Sequence, residues 1–262
     1  MAPILTTHDL ARTFETKRGP VEAVRGIDLT VQTGELLGFL GPNGAGKSTT
    51  LRMLTTLLAP TRGTATVAGY DLARQPTAVR TAIGYVAQAS GVAPDETVRA
   101  ELVLQGRMYR LSKADAVARA DELAADLELT DLLDRKCSQL SGGQKRRLDI
   151  ALALVHRPRV LFLDEPTTGL DPGSRADVWD LIRRVRAESG TTVFLTTHYL
   201  DEADALADRL VVVDGGRIVA DGTAAELKTR YTGSTDATLQ DTFVAITGRG
   251  PAKKDDRAPV AI

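Results

Sequence analysis

Apolar and polar residues alternate through Ile4–Leu10 and Val24–Val31, the period of a half-buried strand. Leu36–Leu40 is instead an unbroken apolar run, the mark of a strand buried on both faces. The period then turns helical: Leu51, Leu54, Leu57 and Leu58 predict a helix over Thr49–Leu58, ended by Ala59-Pro60 and Gly63. Short strand signals follow at Thr64–Ala68 and Ile83–Ala87. Glu96–Leu129 is rich in Ala, Leu, Arg and Asp with helical periodicity, broken near Leu111-Ser112, where Ser112 predicts an N-cap. After Ser141 a helix carries Leu148, Ala151, Leu152 and Val155 on one face, and His156-Arg157-Pro158 closes it. Strand Val160–Leu163, helix Ser174–Glu188, strand Thr192–Thr197, helix Leu200–Leu206 and strand Leu210–Val213 complete the alternation. Strands separated by helices of this length need crossover connections, so the expected fold is α/β, a mainly parallel sheet flanked by helices. Beyond it, Gly215-Gly216 predicts a hairpin turn, and Ala224–Tyr231 and Thr238–Ile246 predict helices, the second with Leu239, Phe243 and Ile246 on one side. The Pro- and charge-rich end, 250–262, is expected to be disordered. No internal repeat is visible.

Composition narrows the function classes. With 33 basic against 34 acidic side chains the net charge is −1, which argues against holding nucleic acid by bulk electrostatics and leaves small charged ligands open. A content of 43% hydrophobic and 26% charged residues is ordinary for a globular chain. The longest apolar runs, Ile150–Val155 and Val160–Leu163, are far short of the roughly 18 to 20 residues that cross a bilayer, and no basic start followed by an apolar run marks a signal peptide. A cytosolic address is therefore expected. The single cysteine, Cys137, has no partner for an internal disulfide and is read as structural.

Three segments carry chemistry. Gly41-Pro42-Asn43-Gly44-Ala45-Gly46-Lys47-Ser48 matches G-x-x-x-x-G-K-[ST], preceded by an apolar strand and followed by a helix. Such a loop turns consecutive backbone N–H groups onto phosphates and adds the positive end of a helix. Lys47 would neutralise the β- and γ-phosphates, the Ser48 hydroxyl is a hard oxygen ligand suited to Mg²⁺, and Thr49 can add a hydrogen bond to a phosphate. Val160–Leu163 then ends in Asp164-Glu165, two carboxylates at the carboxyl edge of the sheet. Asp164 can hold Mg²⁺ through water, and Glu165 is placed to accept a proton from, or orient, a water attacking the γ-phosphate. Third, Leu140-Ser141-Gly142-Gly143-Gln144 by itself is only a good helix start with Ser141 as cap.

In conjunction the three motifs resemble the ATP-binding cassette (ABC) family, whose signature is LSGGQ, and the resemblance covers roughly Ile4–Lys228. It implies a phosphate-loop NTPase core over 1–230, with an N-terminal antiparallel β subdomain and a helical subdomain over about 90–140, then a short helical extension, 231–249, before the tail. Residue by residue, it implies that Gln88 is the glutamine that contacts Mg²⁺ and couples the core to the helical insertion. Asp171, in Gly169-Leu170-Asp171-Pro172, falls at a subunit interface. His198, 34 residues beyond Asp164, is the switch histidine at the γ-phosphate, and Phe14 is the aromatic on the adenine, although Glu15–Val21 is long for that pattern. His8 and His156 match nothing. In this family two cassettes pair head to tail, so Ser141, Gly142, Gly143 and Gln144 of one subunit meet the nucleotide held by the other's Lys47. The implied cofactors are ATP and Mg²⁺, and the implied partners are a second copy and a separately encoded permease, which would hold the chain at the cytoplasmic face of the membrane.

Arg146-Arg147-Leu148-Asp149-Ile150-Ala151, Thr196–Asp204 and the ending Ala237–Arg249 are similar to drug-resistance exporters of the daunorubicin-resistance type, with expected export of a drug or antibiotic-like molecule. Two departures stand out. The accessory domain that many such proteins carry is replaced by about ten residues, and Arg99-Ala100-Glu101-Leu102 lacks the usual Asn after Glu. The alternative is a cassette ATPase that acts on ribosomes, DNA or assembly machinery. Such relatives carry two cassettes or a long coiled coil, and neither is seen in this sequence.

Overall fold

A computed structural model describes residues 3–248; the expected disordered tail, 250–262, lies outside the described residues. The chain opens with β1 (Pro3–Thr16) and β2 (Gly19–Gln32), an antiparallel hairpin. Both strands outrun the predicted Ile4–Leu10 and Val24–Val31, because the stretch Glu15–Val21, long for the family pattern, is itself the tip of the hairpin and pairs as Phe14↔Val21 and Glu15↔Pro20. Most of that tip is exposed, so no alternation betrayed it.

β3 (Leu36–Leu40) leads into α1 (Lys47–Leu54), which is shorter than the predicted Thr49–Leu58. The Thr55 hydroxyl donates back to the Leu51 carbonyl at 2.9 Å and Thr56 takes φ 64°, so the helix stops and Leu57 is left 60% exposed. β4 (Arg62–Val67) and β5 (Tyr70–Asp71) complete an antiparallel sheet of order β2-β1-β4-β5, the expected N-terminal β subdomain. α2 (Pro76–Ala82) was not predicted; with Val79 as its only buried residue it has no periodic face.

β6 (Ile83–Val86) precedes the helical insertion, α3 (Val98–Met108) and α4 (Lys113–Asp126), and Ser112 caps α4 as expected by accepting from Asp115 N–H. Then come α5 (Gly142–Leu154), β7 (Val160–Asp164), α6 (Pro172–Ser189), β8 (Thr192–Thr197), α7 (Leu200–Leu206), and the hairpin β9 (Arg209–Asp214) and β10 (Arg217–Gly222) around Gly215-Gly216. α8 (Ala224–Thr232) and α9 (Leu239–Thr247) close the described chain.

The second sheet has order β10-β9-β3-β8-β7-β6, parallel except for β10. Its central strands β3, β7 and β8 are buried at every position because both faces are covered. Leu36, Leu161 and Leu163 join a core against α3–α6, while Leu37, Phe39, Val160 and Phe162 point the other way into the space between the sheets. There Phe194 meets Phe39 and Phe162 at centroid distances of 5.2 and 5.4 Å. A third cluster, with Leu40, Val212, Leu227, Leu239 and Phe243, seats α7, α8 and α9 on the sheet, so the C-terminal helices pack against the core.

Candidate functional site

The carboxyl ends of β3, β6, β7 and β8 lie side by side, and each is followed by one candidate residue or loop: 41–46 after β3, Gln88 after β6, Asp164-Glu165 at the end of β7, and His198 after β8. Gln88, Glu165, Thr168 and His198, with Ala23 of β2 and Asn43, Gly44, Gly46, Lys47, Ser48 and Thr49, line a cleft of about 620 Å³.

The loop reaches this cleft through Gly46, which N-caps α1 at φ 103° with no side chain capping the helix and no acidic residue in its first turn. The leading N–H groups of α1 are therefore left for an anion. A Cβ at Gly46 would lie 2.5 Å from the Ala23 carbonyl oxygen. Gly46→Ala should thus cost about 1–3 kcal/mol of strain and disturb the loop, which thermal unfolding beside nucleotide titration checks.

Lys47 is buried, and its Nζ donates to the carbonyls of Gly41 at 2.8 Å and Pro42 at 3.2 Å while lying 3.4 Å from Glu165 Oε1. Burial pushes its pKa below the usual lysine value, against the opposing pull of Glu165 and Asp164. Asp164 Oδ1 accepts from Ser48 Oγ at 3.1 Å and from Thr196 Oγ1 at 2.7 Å, which fixes the carboxylate beside the loop hydroxyl.

Glu165 gathers the rest. Its Oε2 lies 3.4 Å from Gln88 Nε2, 3.3 Å from Thr168 Oγ1 and 3.1 Å from His198 Nδ1. Burial raises the Glu165 pKa, but His198 and Lys47 outweigh burial and hold the carboxyl below its ordinary value. It is ionised near neutral pH, as a proton acceptor must be. Its backbone sits at φ 48°, unusual for a residue with a side chain.

Behind this shell Glu202 is fully buried and accepts from Thr167 Oγ1 at 2.7 Å and Trp179 Nε1 at 3.1 Å. Thr168, Thr196 and Ala23 were not singled out from the sequence: threonines in apolar strands or turns carry no signal of their own.

The other expected residues lie elsewhere on the chain. Ser141 and Gln144 form a reciprocal capping box at the exposed start of α5, with Gln144 N–H donating to Ser141 Oγ at 3.2 Å and Ser141 N–H to Gln144 Oε1 at 3.0 Å. Gly142 is exposed, and Gly143 is buried where a Cβ would come within 2.9 Å of Ser174 Oγ. Asp171 is exposed and caps α6 by accepting from Ser174 N–H at 3.0 Å. None of these five lines the cleft. Phe14 does not line it either; it lies on β1 opposite Val21, with the Arg12 guanidinium 4.7 Å from its ring centroid.

Known proteins are similar to this chain in sequence and in fold. The chain is 53% identical over 206 residues to the daunorubicin/doxorubicin resistance ATP-binding protein DrrA of Streptomyces peucetius, covering 79% of this chain but only 62% of that relative. It is 44% identical over 211 residues to the Nod factor export ATP-binding protein I of Burkholderia lata, covering 80% and 69%. Among solved structures it resembles an ATP-binding subunit of an ABC transporter (TM-score 0.80, 28% identity, 93% and 99% covered). It also resembles the ATP-binding cassette MJ0796, dimeric and bound to ADP and Pi (TM-score 0.76, 26% identity, 84% and 98% covered). The ABC transporter family profile matches residues 24–168, a stretch that holds the phosphate loop, the glutamine, the signature and both carboxylates, and the chain belongs to that family.

Proposed function

We propose that this protein is the ATP-hydrolysing subunit of an ABC exporter that drives a separate membrane permease and moves a drug or antibiotic-like molecule. The observation that carries the chemistry is the convergence of Lys47, Gln88, Thr168 and His198 on the Glu165 carboxylate. In this reading Lys47 and the loop N–H groups hold the β- and γ-phosphates, Glu165 accepts the proton of the attacking water, and His198 and Gln88 set the position of that water. The adenine lies toward the β1–β2 edge, where Ala23 lines the cleft and Phe14 offers a ring.

The Ser48 hydroxyl and Asp164 carboxylate are hard oxygen donors 3.1 Å apart, a set that suits Mg²⁺. Held by Ser48 and Asp164, the metal would neutralise charge developing on the phosphates.

The exposed, self-capped N-terminus of α5 and the exposed Asp171 support a head-to-tail pair of cassettes in which Ser141, Gly142, Gly143 and Gln144 complete the partner's site. MJ0796 has been seen as a dimer. Ser141→Arg should then leave nucleotide binding largely intact and lower turnover about 100-fold or more, read by nucleotide titration beside a phosphate-release assay.

For the permease, α3 exposes Leu104 (56%) and Met108 (71%) one helical turn apart, and Leu57 stands exposed beside a groove that Tyr109 and Leu152 also line. Among the described residues no helix is long and apolar enough to cross a membrane. Daunorubicin-resistance relatives support drug export over action on ribosomes or DNA. Co-purification with a permease tests the reading; association with ribosomes and with no membrane protein would overturn it.

A further inference from the structure

Arg146 lies one turn into α5, where a basic residue on an amphipathic helix reads as solvated, yet it is 6% exposed. Its guanidinium is spent on main-chain carbonyls. Nη1 donates to Ala87 at 2.7 Å, Nη2 to Glu165 at 3.1 Å and Asp164 at 3.4 Å, and Nε to Pro166. In an extended strand successive carbonyls point to opposite sides, so three consecutive ones, 164 to 166, can meet one cation only if the chain turns between them. The positive φ of Glu165 makes that turn. The strained backbone of the general base and the buried arginine are therefore one device: the planar fork collects the carbonyls that the strain brings together.

The same helix grips the other flank of Gln88. Asp149, one turn beyond Arg146 and 3.9 Å from it, accepts from Ser90 Oγ at 2.8 Å. Ala87 is held by residue i of α5 and Ser90 by residue i+3, so the reach of Gln88 toward Glu165 is fixed by two anchors on one rigid element.

We propose that Arg146 and Asp149 are positioning residues that tie α5 to both the Glu165 backbone and the Gln88 loop, and so set the geometry of the general base. This inference rests on the ATPase reading above. Wild-type protein without MgATP turnover would defeat that reading, whereas wild-type turnover indifferent to the changes below would defeat this inference alone.

Arg146→Lys keeps the charge and loses the fork. Its kcat should fall about tenfold or more, bounded above by the roughly 10²–10⁴-fold that a positioned acid–base group contributes, while the affinity for a fluorescent ATP analogue stays within about threefold of wild type. In a Glu165→Gln background the same change should cost less than about twofold more, because the group it positions is already gone; an equal loss in both backgrounds overturns the assignment. Asp149→Ala should lower kcat about fivefold or more, and Asp149→Asn, whose amide oxygen can still accept from Ser90 Oγ, should restore most of it. Should Arg146→Lys fail to fold, this pair decides: Asp149→Ala at wild-type kcat, or Asp149→Asn as impaired as Asp149→Ala, refutes the proposal.

Discussion

Glu165→Gln is expected to bind ATP, hydrolyse it roughly 10²–10⁴-fold more slowly than the wild type, and accumulate as an ATP-bound dimer. The substitution preserves shape, so Gln88, Thr168 and His198 keep a neighbour of the same size, but the amide cannot take a proton. With chemistry stalled, the γ-phosphate persists, and with it the contact that a second subunit's signature residues make. Size-exclusion chromatography in saturating MgATP reads the dimer and phosphate release reads the turnover. A strictly monomeric variant would count against the shared site, and wild-type turnover would remove Glu165 from its role.

Lys47→Ala is expected to abolish ATP-dependent activity and to weaken nucleotide binding about 10- to 150-fold, the range for losing one charged hydrogen-bond donor. Lys47 is preorganised rather than recruited. Its ammonium is buried between the Gly41 and Pro42 carbonyls and the Glu165 carboxylate, and burial alone pulls its pKa down. Phosphates add anionic partners to a cation that already sits where it is needed, with little reorganisation. Removing it also takes away one of the groups that hold the Glu165 carboxyl below its ordinary value, so the acid limb of any residual turnover should move to higher pH. Nucleotide titration and steady-state assays across pH check both parts; a variant that turns over like the wild type would refute the site.

The elements most legible from sequence were those whose burial is simple. Leu36–Leu40 and Val160–Leu163 read as strands because both faces are covered, and the phosphate loop reads because its geometry demands glycines at fixed offsets. Legibility failed where the deciding interaction was local or tertiary. Leu57 and Leu58 continue a helical period, but a back-bonded Thr55 ends α1 before them. The β1–β2 tip offers no alternation because most of it is exposed. In the site, Lys47, Ser48, Asp164, Glu165, Gln88 and His198 are brought together as motif spacing implied. Arg146 was visible only as part of a stretch similar to drug-resistance exporters, because a charged side chain that spends itself on backbone carbonyls leaves no pattern in the sequence.

The strand order has a consequence for how the protein is made. β3, which ends in the phosphate loop, is flanked by β8 and β9, with Leu36 beside Val193 and Leu37 beside Arg209. During synthesis the apolar strand Leu36–Leu40 stays without its sheet partners until residues 192–214 have left the ribosome. A chain arrested before residue 192 would carry a complete phosphate-binding motif on an open, aggregation-prone edge. The strand that delivers the phosphate loop is thus made more than 150 residues before the strands that hold it in place.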